Sequence, residues 1–146
     1  MNTQEPVVLI AEDSEADVNL IRIAFRHAGF SRPLEIARDG EEAMAYLRGD
    51  GIYADRNRFP LPTVLLLDLT MLRKSGFDVL AWLQTQPPSL RRLPVYILSG
   101  SMRSEDIERA YDLGAHAYLV KPCNLDALTD MAKRLVEWLQ INHFSP

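Results

Sequence analysis

Four short polar tags in this sequence could do chemistry together: Glu12-Asp13, Asp68, Ser99 and Lys121. Each follows an apolar run, at residues 7–11, 63–67, 95–98 and 117–120. Two carboxylates about 4 Å apart repel by roughly 4 kcal/mol at an effective dielectric near 20. Three acids brought side by side therefore need a proton or a cation among them. Oxygen donors in a pocket open to water suit Mg2+, which keeps several waters and shares its other positions with a phosphate. A lysine adds a mobile point charge and a serine adds a hydroxyl donor. Carboxylate, cation, ammonium and hydroxyl together make a place for a phosphoryl group, and a carboxylate nucleophile can form an acyl phosphate. Asp68 is the best placed to attack, because it can face both the metal and Lys121.

Each tag also has a plainer reading. Glu12-Asp13 could complement the dipole at a helix start. Asp68 could be an ordinary turn acid. Ser99-Gly100-Ser101 reads as a loop, with Ser104 as a helix cap. Lys-Pro is a weak signal anywhere. The order of all four and their shared place after apolar runs are much harder to produce by chance.

The elements that must position them are short. The run at 7–11 is continuous and rich in β-branched residues, as in a strand buried on both faces. Val18, Ile21, Phe25 and Ala28 then fall at helical spacing, and Gly29 stops the helix. Residues 34–37 make a second strand. Asp39, with Glu42 three residues on, starts a helix that carries Ala43 and Leu47. Residues 49–62 form a loop of a length unusual in a compact domain, so it is either functional or mobile. The strand at 63–67 leads to a short helix at 76–83, which Pro87-Pro88 ends. A strand at 95–98, a helix at 105–113 closed by Gly114, and a strand at 117–120 follow. Asn124 caps the last helix, with Leu125, Leu128, Met131, Leu135 and Leu139 inward. Five strands alternating with five helices mean a doubly wound α/β fold with a parallel sheet. In such a sheet ligands bind beyond the carboxyl ends of the strands.

Composition sets the outer bounds. The chain has 146 residues, 47% hydrophobic and 25% charged, with net charge -4. That size fits one domain, and the charge balance disfavours nucleic acid as a partner. The single Cys123 cannot make an internal disulfide, and the chain reads as cytoplasmic. No signal peptide shows at residues 1–6, and no apolar run is long enough for a membrane span. His27, His116 and His143 are scattered and make no metal set.

As a group, the segments Leu-Ile-Ala-Glu12-Asp13-Ser, Leu-Leu-Leu-Asp68-Leu-Thr-Met, Ile-Leu-Ser99-Gly-Ser and Ala-Tyr118-Leu-Val-Lys121-Pro122 resemble the receiver family of two-component signalling. The resemblance covers roughly residues 7–140. It implies a flavodoxin-like five-stranded fold with strand order 2-1-3-4-5, here as a single receiver domain over 1–146 with no output domain. It implies that Asp68 accepts the phosphoryl group. Asp13 then binds Mg2+ directly, Glu12 helps, and the Thr70 backbone carbonyl is a further metal ligand. Ser99 bonds the phosphoryl oxygen, and Lys121 pairs first with the acceptor and then with the phosphate. Tyr118 is the switch aromatic, turning inward as the Ser99 hydroxyl moves. The Lys121–Pro122 peptide is implied to be cis. Three features depart from the common pattern: Met71-Leu72 in place of Met-Pro, Thr70 in place of a frequent Asn, and the long 49–62 loop. Ser101 borders the approach of water and, with Thr70, would tune the lifetime of the phosphate. The loop resembles those of short receivers that serve phytochrome-type and other hybrid sensor kinases.

The implied activity is phosphoryl uptake from a sensor histidine kinase or phosphotransfer protein, followed by an altered face for a downstream partner. No enzyme activity is implied beyond slow self-dephosphorylation. An aspartate-nucleophile phosphatase would need an acid where Thr70 stands. A phosphorylation-independent interaction module is the alternative, and the intact Asp13, Asp68, Ser99 and Lys121 argue against it. The last helix, with Trp138 and Ile141, suits plain packing and a homodimer surface equally.

Overall fold

A computed structural model of the chain describes residues 5–143. Residues 1–4, those after His143, and the side chains of Asn142 and His143 lie outside the described residues. The strands are β1 (Val8–Ala11), β2 (Glu35–Ala37), β3 (Val64–Leu67), β4 (Val95–Ser99) and β5 (Ala117–Val120). The helices are α1 (Glu15–His27), α2 (Gly40–Arg48), α3 (Gly76–Leu83), α4 (Pro88–Arg91), α5 (Ser104–Asp112) and α6 (Leu125–His143). All strand pairs are parallel, in the order β2-β1-β3-β4-β5. This is the flavodoxin-like arrangement implied by the motifs.

Alternation along each strand splits the core in two, because successive side chains point to opposite faces. Leu9, Ala11, Leu65, Leu67, Val95 and Ile97 pack with α2, α3 and α5. Val8, Ile10, Val64, Leu66 and Leu98 pack with α1 and α6. Both faces are covered, so β1 and β3 are buried at every position and read as unbroken apolar runs. The edge strand β5 is only half-buried.

The helix starts follow local chemistry. Ser14 Oγ accepts from Asp17 N at 3.2 Å, Asp39 Oδ1 from Glu42 N at 2.8 Å, and Asn124 Oδ1 from Ala127 N at 2.8 Å. Ser75 and Asp78 form a reciprocal capping box at α3.

Two expectations need correction. There are six helices among the described residues: after α3 ends, Pro88 starts a one-turn α4. Proline has its φ preset for the first helical position and needs no donor there, so it can begin a helix as well as end one. Ser104 does not cap α5 but lies in its first turn, after Arg103. Ser101 serves that end instead: its Oγ accepts from Arg103 N at 3.2 Å and donates to Asp106 Oδ2 at 2.6 Å. The 49–62 loop is tied down. It carries a 3-10 turn at Gly51–Ala54. Arg56 donates to the carbonyls of Tyr46, Leu47 and Phe59, and Tyr46 Oη donates to Pro60 O at 2.8 Å.

Candidate functional site

The site grows from register. Ala11 pairs with Leu67, so Glu12 and Asp68 each stand one residue beyond the end of neighbouring strands. Glu12 N donates to Ala37 O at 2.9 Å, and Asp68 N to Ala11 O at 3.1 Å. The ladder thus extends one residue past the apolar runs and fixes both acids. Glu12 and Asp68 are buried and Asp13 is exposed. Their carboxylate oxygens lie within 4.8 Å of one another. Hard oxygen donors at that spacing fit a small divalent cation such as Mg2+.

Lys121 arrives from β5. Its amide donates to Ser99 O at 2.8 Å, continuing the β4–β5 pairing. Its Nζ donates to Asp17 at 2.8 Å, Glu12 at 2.9 Å and Asp68 Oδ2 at 3.2 Å. The other Asp68 oxygen, Oδ1, accepts from Thr70 N at 3.2 Å. Asp68 is therefore held from two sides, by an ammonium and by a backbone amide. The Lys121–Pro122 peptide is trans, not cis: no described peptide bond is cis. Trans is the favoured X–Pro isomer by roughly 0.5–1 kcal/mol, and from it Nζ already reaches the acids.

The charges disturb one another. Burial pushes the Glu12 carboxyl up, its hydrogen bond with Asp68 pushes the same way, and Lys121 pulls it back, leaving it at about 7. For Lys121, burial opposes the ammonium, but the hydrogen bonds to Asp17 and Glu12 and the charge of Asp68 outweigh it. Its pKa is held above the ordinary lysine value.

Ser99 and Tyr118 sit one step from the acids. Ser99 is buried, and its Oγ accepts from Ser101 N at 3.1 Å. Tyr118 is half-buried, and its Oη donates to Ser101 O at 2.8 Å. One residue, Ser101, thus joins the hydroxyl and the aromatic ring.

Two features of the site escape sequence reasoning. Asp17 is the nearest partner of Lys121, yet Glu15 in the same helical turn faces outward to Arg38, and spacing alone does not separate them. Arg73 donates to Asp39 Oδ2 through Nε at 3.1 Å and Nη2 at 2.8 Å, tying the loop after Asp68 to the start of α2. No motif marks that pair.

An open parallel sheet with three carboxylates and a lysine at its carboxyl edge is the architecture of a signalling receiver. The sequence pattern of the response regulator receiver domain matches residues 8–133, and the chain belongs to that family. Response regulator Rcp1 of Synechocystis sp. is 37% identical over 135 residues, 92% of this chain and 89% of that protein. The phosphorylated cyanobacterial phytochrome response regulator RcpA is similar in structure, with a TM-score of 0.82 and 38% identity over 94% of this chain and 95% of that one. The Mn2+-bound form of Rcp1 gives a TM-score of 0.80 and 36% identity, over 92% of this chain and 95% of that one. The chain is thus a signalling protein of the two-component class.

Proposed function

We propose that the chain is a phosphorylation-dependent switch that takes a phosphoryl group from a phosphohistidine onto Asp68. The observation that carries this is Lys121 Nζ at 3.2 Å from a buried Asp68 whose carboxylate faces Glu12 and Asp13 within 4.8 Å. An Asp68 oxygen attacks phosphorus in line with the leaving imidazole nitrogen. The O–P bond forms, the N–P bond breaks, and its electron pair stays on the imidazole. Mg2+, held by Glu12, Asp13, Asp68 and the Thr70 carbonyl, would neutralise charge on the transferring group. Lys121 supplies a second fixed positive charge, preorganised before the donor arrives.

The output runs through Ser99. Its hydroxyl turns toward the phosphoryl oxygen and releases the Ser101 amide. Ser101 also holds Tyr118 through its carbonyl, so the change reaches β5 and the face made by α5, β5 and α6. The phosphoryl group drives this by binding the altered state better. The donor is a sensor kinase or phosphotransfer protein, and the phytochrome-related relatives point to a phytochrome-type kinase. The signal leaves through a downstream protein, a second copy of the chain, or onward relay. Among the described residues no helix is long and apolar enough to cross a membrane. We place this single domain in the cytoplasm.

Incubation with Mg2+ and acetyl phosphate, read by intact mass, tests the reading. A Mg2+-dependent phosphoryl adduct is expected for wild type and none for Asp68→Asn. An adduct that persists in Asp68→Asn, or none in wild type, overturns it.

The raised Glu12 pKa adds a pH dependence. An acid whose folded pKa lies above its unfolded value binds more protons in the fold between the two, so it lowers stability as pH rises from about 4.5 to about 7. Cation binding needs the ionised acid, so Mg2+ affinity is expected to fall by up to about tenfold per pH unit below 7. Calorimetric titration from pH 6 to 8 checks this; a flat profile would mean that cation binding releases no Glu12 proton in that range.

A further inference from the structure

Lys121 has three N–H donors and three carboxylate acceptors, so its hydrogen bonding is complete. Two of the acceptors, Glu12 and Asp68, also belong to the group that faces a cation. The third, Asp17, lies outside that group and is the nearest to Nζ, at 2.8 Å. The acids at this end of the sheet thus divide into three that can share a cation and one that engages only the lysine.

The division matters once a cation binds. It draws on the Glu12 oxygens and repels the ammonium from that side. Lys121 is partly exposed, with 22% of its side chain open to solvent. Its four-carbon stem would let Nζ swing into water, and a freed lysine side chain gains rotamer entropy. Asp17 opposes that swing from a fixed platform, since its own backbone amide donates to the Ser14 cap at 3.2 Å.

We propose that Asp17 is a positioning residue for phosphoryl transfer, holding the Lys121 ammonium over Asp68 when a cation takes Glu12. The proposal rests on Asp68 being the phosphoacceptor. The ordinary role of an acid in a first helical turn, complementing the dipole, explains its presence there but not its contact with Lys121. A competing role, in which Asp17 draws the lysine away from the phosphoryl group, predicts the opposite sign on its removal.

The initial rate of Asp68 phosphorylation by acetyl phosphate at saturating Mg2+ separates these. Asp17→Ala is expected to slow it about tenfold, the worth of one charge-assisted hydrogen bond. Asp17→Asn keeps one acceptor oxygen and should fall between. In a Lys121→Ala background, Asp17→Ala should cost nothing further. An unchanged or faster rate for Asp17→Ala, or an equal loss in both backgrounds, overturns the proposal. A second readout needs no turnover. In Mg2+-loaded protein the Lys121 Nζ–H signal in 15N NMR should persist in wild type and vanish into solvent exchange in Asp17→Ala. Persistence in Asp17→Ala overturns the proposal while leaving the phosphoacceptor reading intact. A wild type that forms no adduct overturns that reading and this assignment with it.

Discussion

The two loops that flank Asp68 are held by different physics. On one side, the loop after β3 is pressed between backbones. A Cβ on Gly76 would stand 2.3 Å from Asp68 O and 2.8 Å from Leu69 Cα, and one on Gly40 would stand 2.1 Å from Lys74 O. Gly76 N donates to Leu69 O at 3.0 Å and closes the loop. Arg73 accepts a left-handed φ of 58°, a strained conformation for a side-chain-bearing residue, while it bonds Asp39. On the other side, a Cβ on Gly100 would meet nothing within 4 Å. There a relay of hydrogen bonds through Ser101 joins Ser99, Arg103, Asp106 and Tyr118. Steric contact has one solution, whereas hydrogen bonds can change partners at small net cost. On the function proposed above, the first loop would keep Asp68 and Thr70 still, and the second would rearrange when Ser99 turns.

The sharpest way to break this contrast is a pair of glycine substitutions. Gly76→Ala forces backbone against backbone and should destabilise by about 3 kcal/mol, the upper end of ordinary overpacking. Gly100→Ala adds a methyl group to open space and should shift stability by less than about 0.5 kcal/mol. Urea unfolding midpoints measure both. Equal costs would mean that the two loops are packed alike.

A smaller effect probes the relay. Tyr118→Phe keeps the ring and removes only the bond to Ser101 O. The expected cost is about 1 kcal/mol, typical of one hydrogen bond. The larger consequence should be functional. With that bond absent, the shift in the β5 amide resonances on adding beryllofluoride, a phosphoryl mimic, should shrink while Asp68 remains competent. A full response in Tyr118→Phe would show that the ring moves without the Ser101 link.

What was legible in the sequence follows the same division. β1 and β3 announce themselves because burial on both faces demands unbroken apolar runs. Glu12, Asp13, Asp68 and Lys121 are legible because each lies at a strand end that topology brings together. Contacts made by side chains reaching between loops leave no periodic trace. Asp17 looks like any first-turn acid, and Arg73 like any exposed arginine. The trans Lys121–Pro122 bond and the single turn of α4 depart from the sequence expectation for a related reason. Proline constrains the chain strongly, but its tertiary surroundings decide which allowed outcome appears.

The least change separates the two forces within the first loop. Burial works to raise the Asp39 pKa, but the Glu42 amide and Arg73 together hold it below the ordinary carboxylate range. An acid depressed in the fold contributes stability above its unfolded pKa of about 3.9, and loses it as pH falls through the folded value. Arg73→Ala removes one of the holding groups and leaves the backbone amides, that of Glu42 at 2.8 Å among them. The Asp39 carboxyl should therefore titrate higher than in wild type, as followed by 13C NMR. Near neutral pH the change in stability should be slight, because Arg73 is mostly exposed and its ion pair is screened. Amide exchange at Thr70 and Gly76, whose N–H groups bond Asp68 Oδ1 and Leu69 O, then decides in the same variant what holds the loop. Unchanged protection assigns the rigidity of the first loop to its glycine contacts alone. Loss of protection makes the Arg73–Asp39 pair an equal partner, and the rigidity of the first loop would then fall in acid as Asp39 takes up its proton.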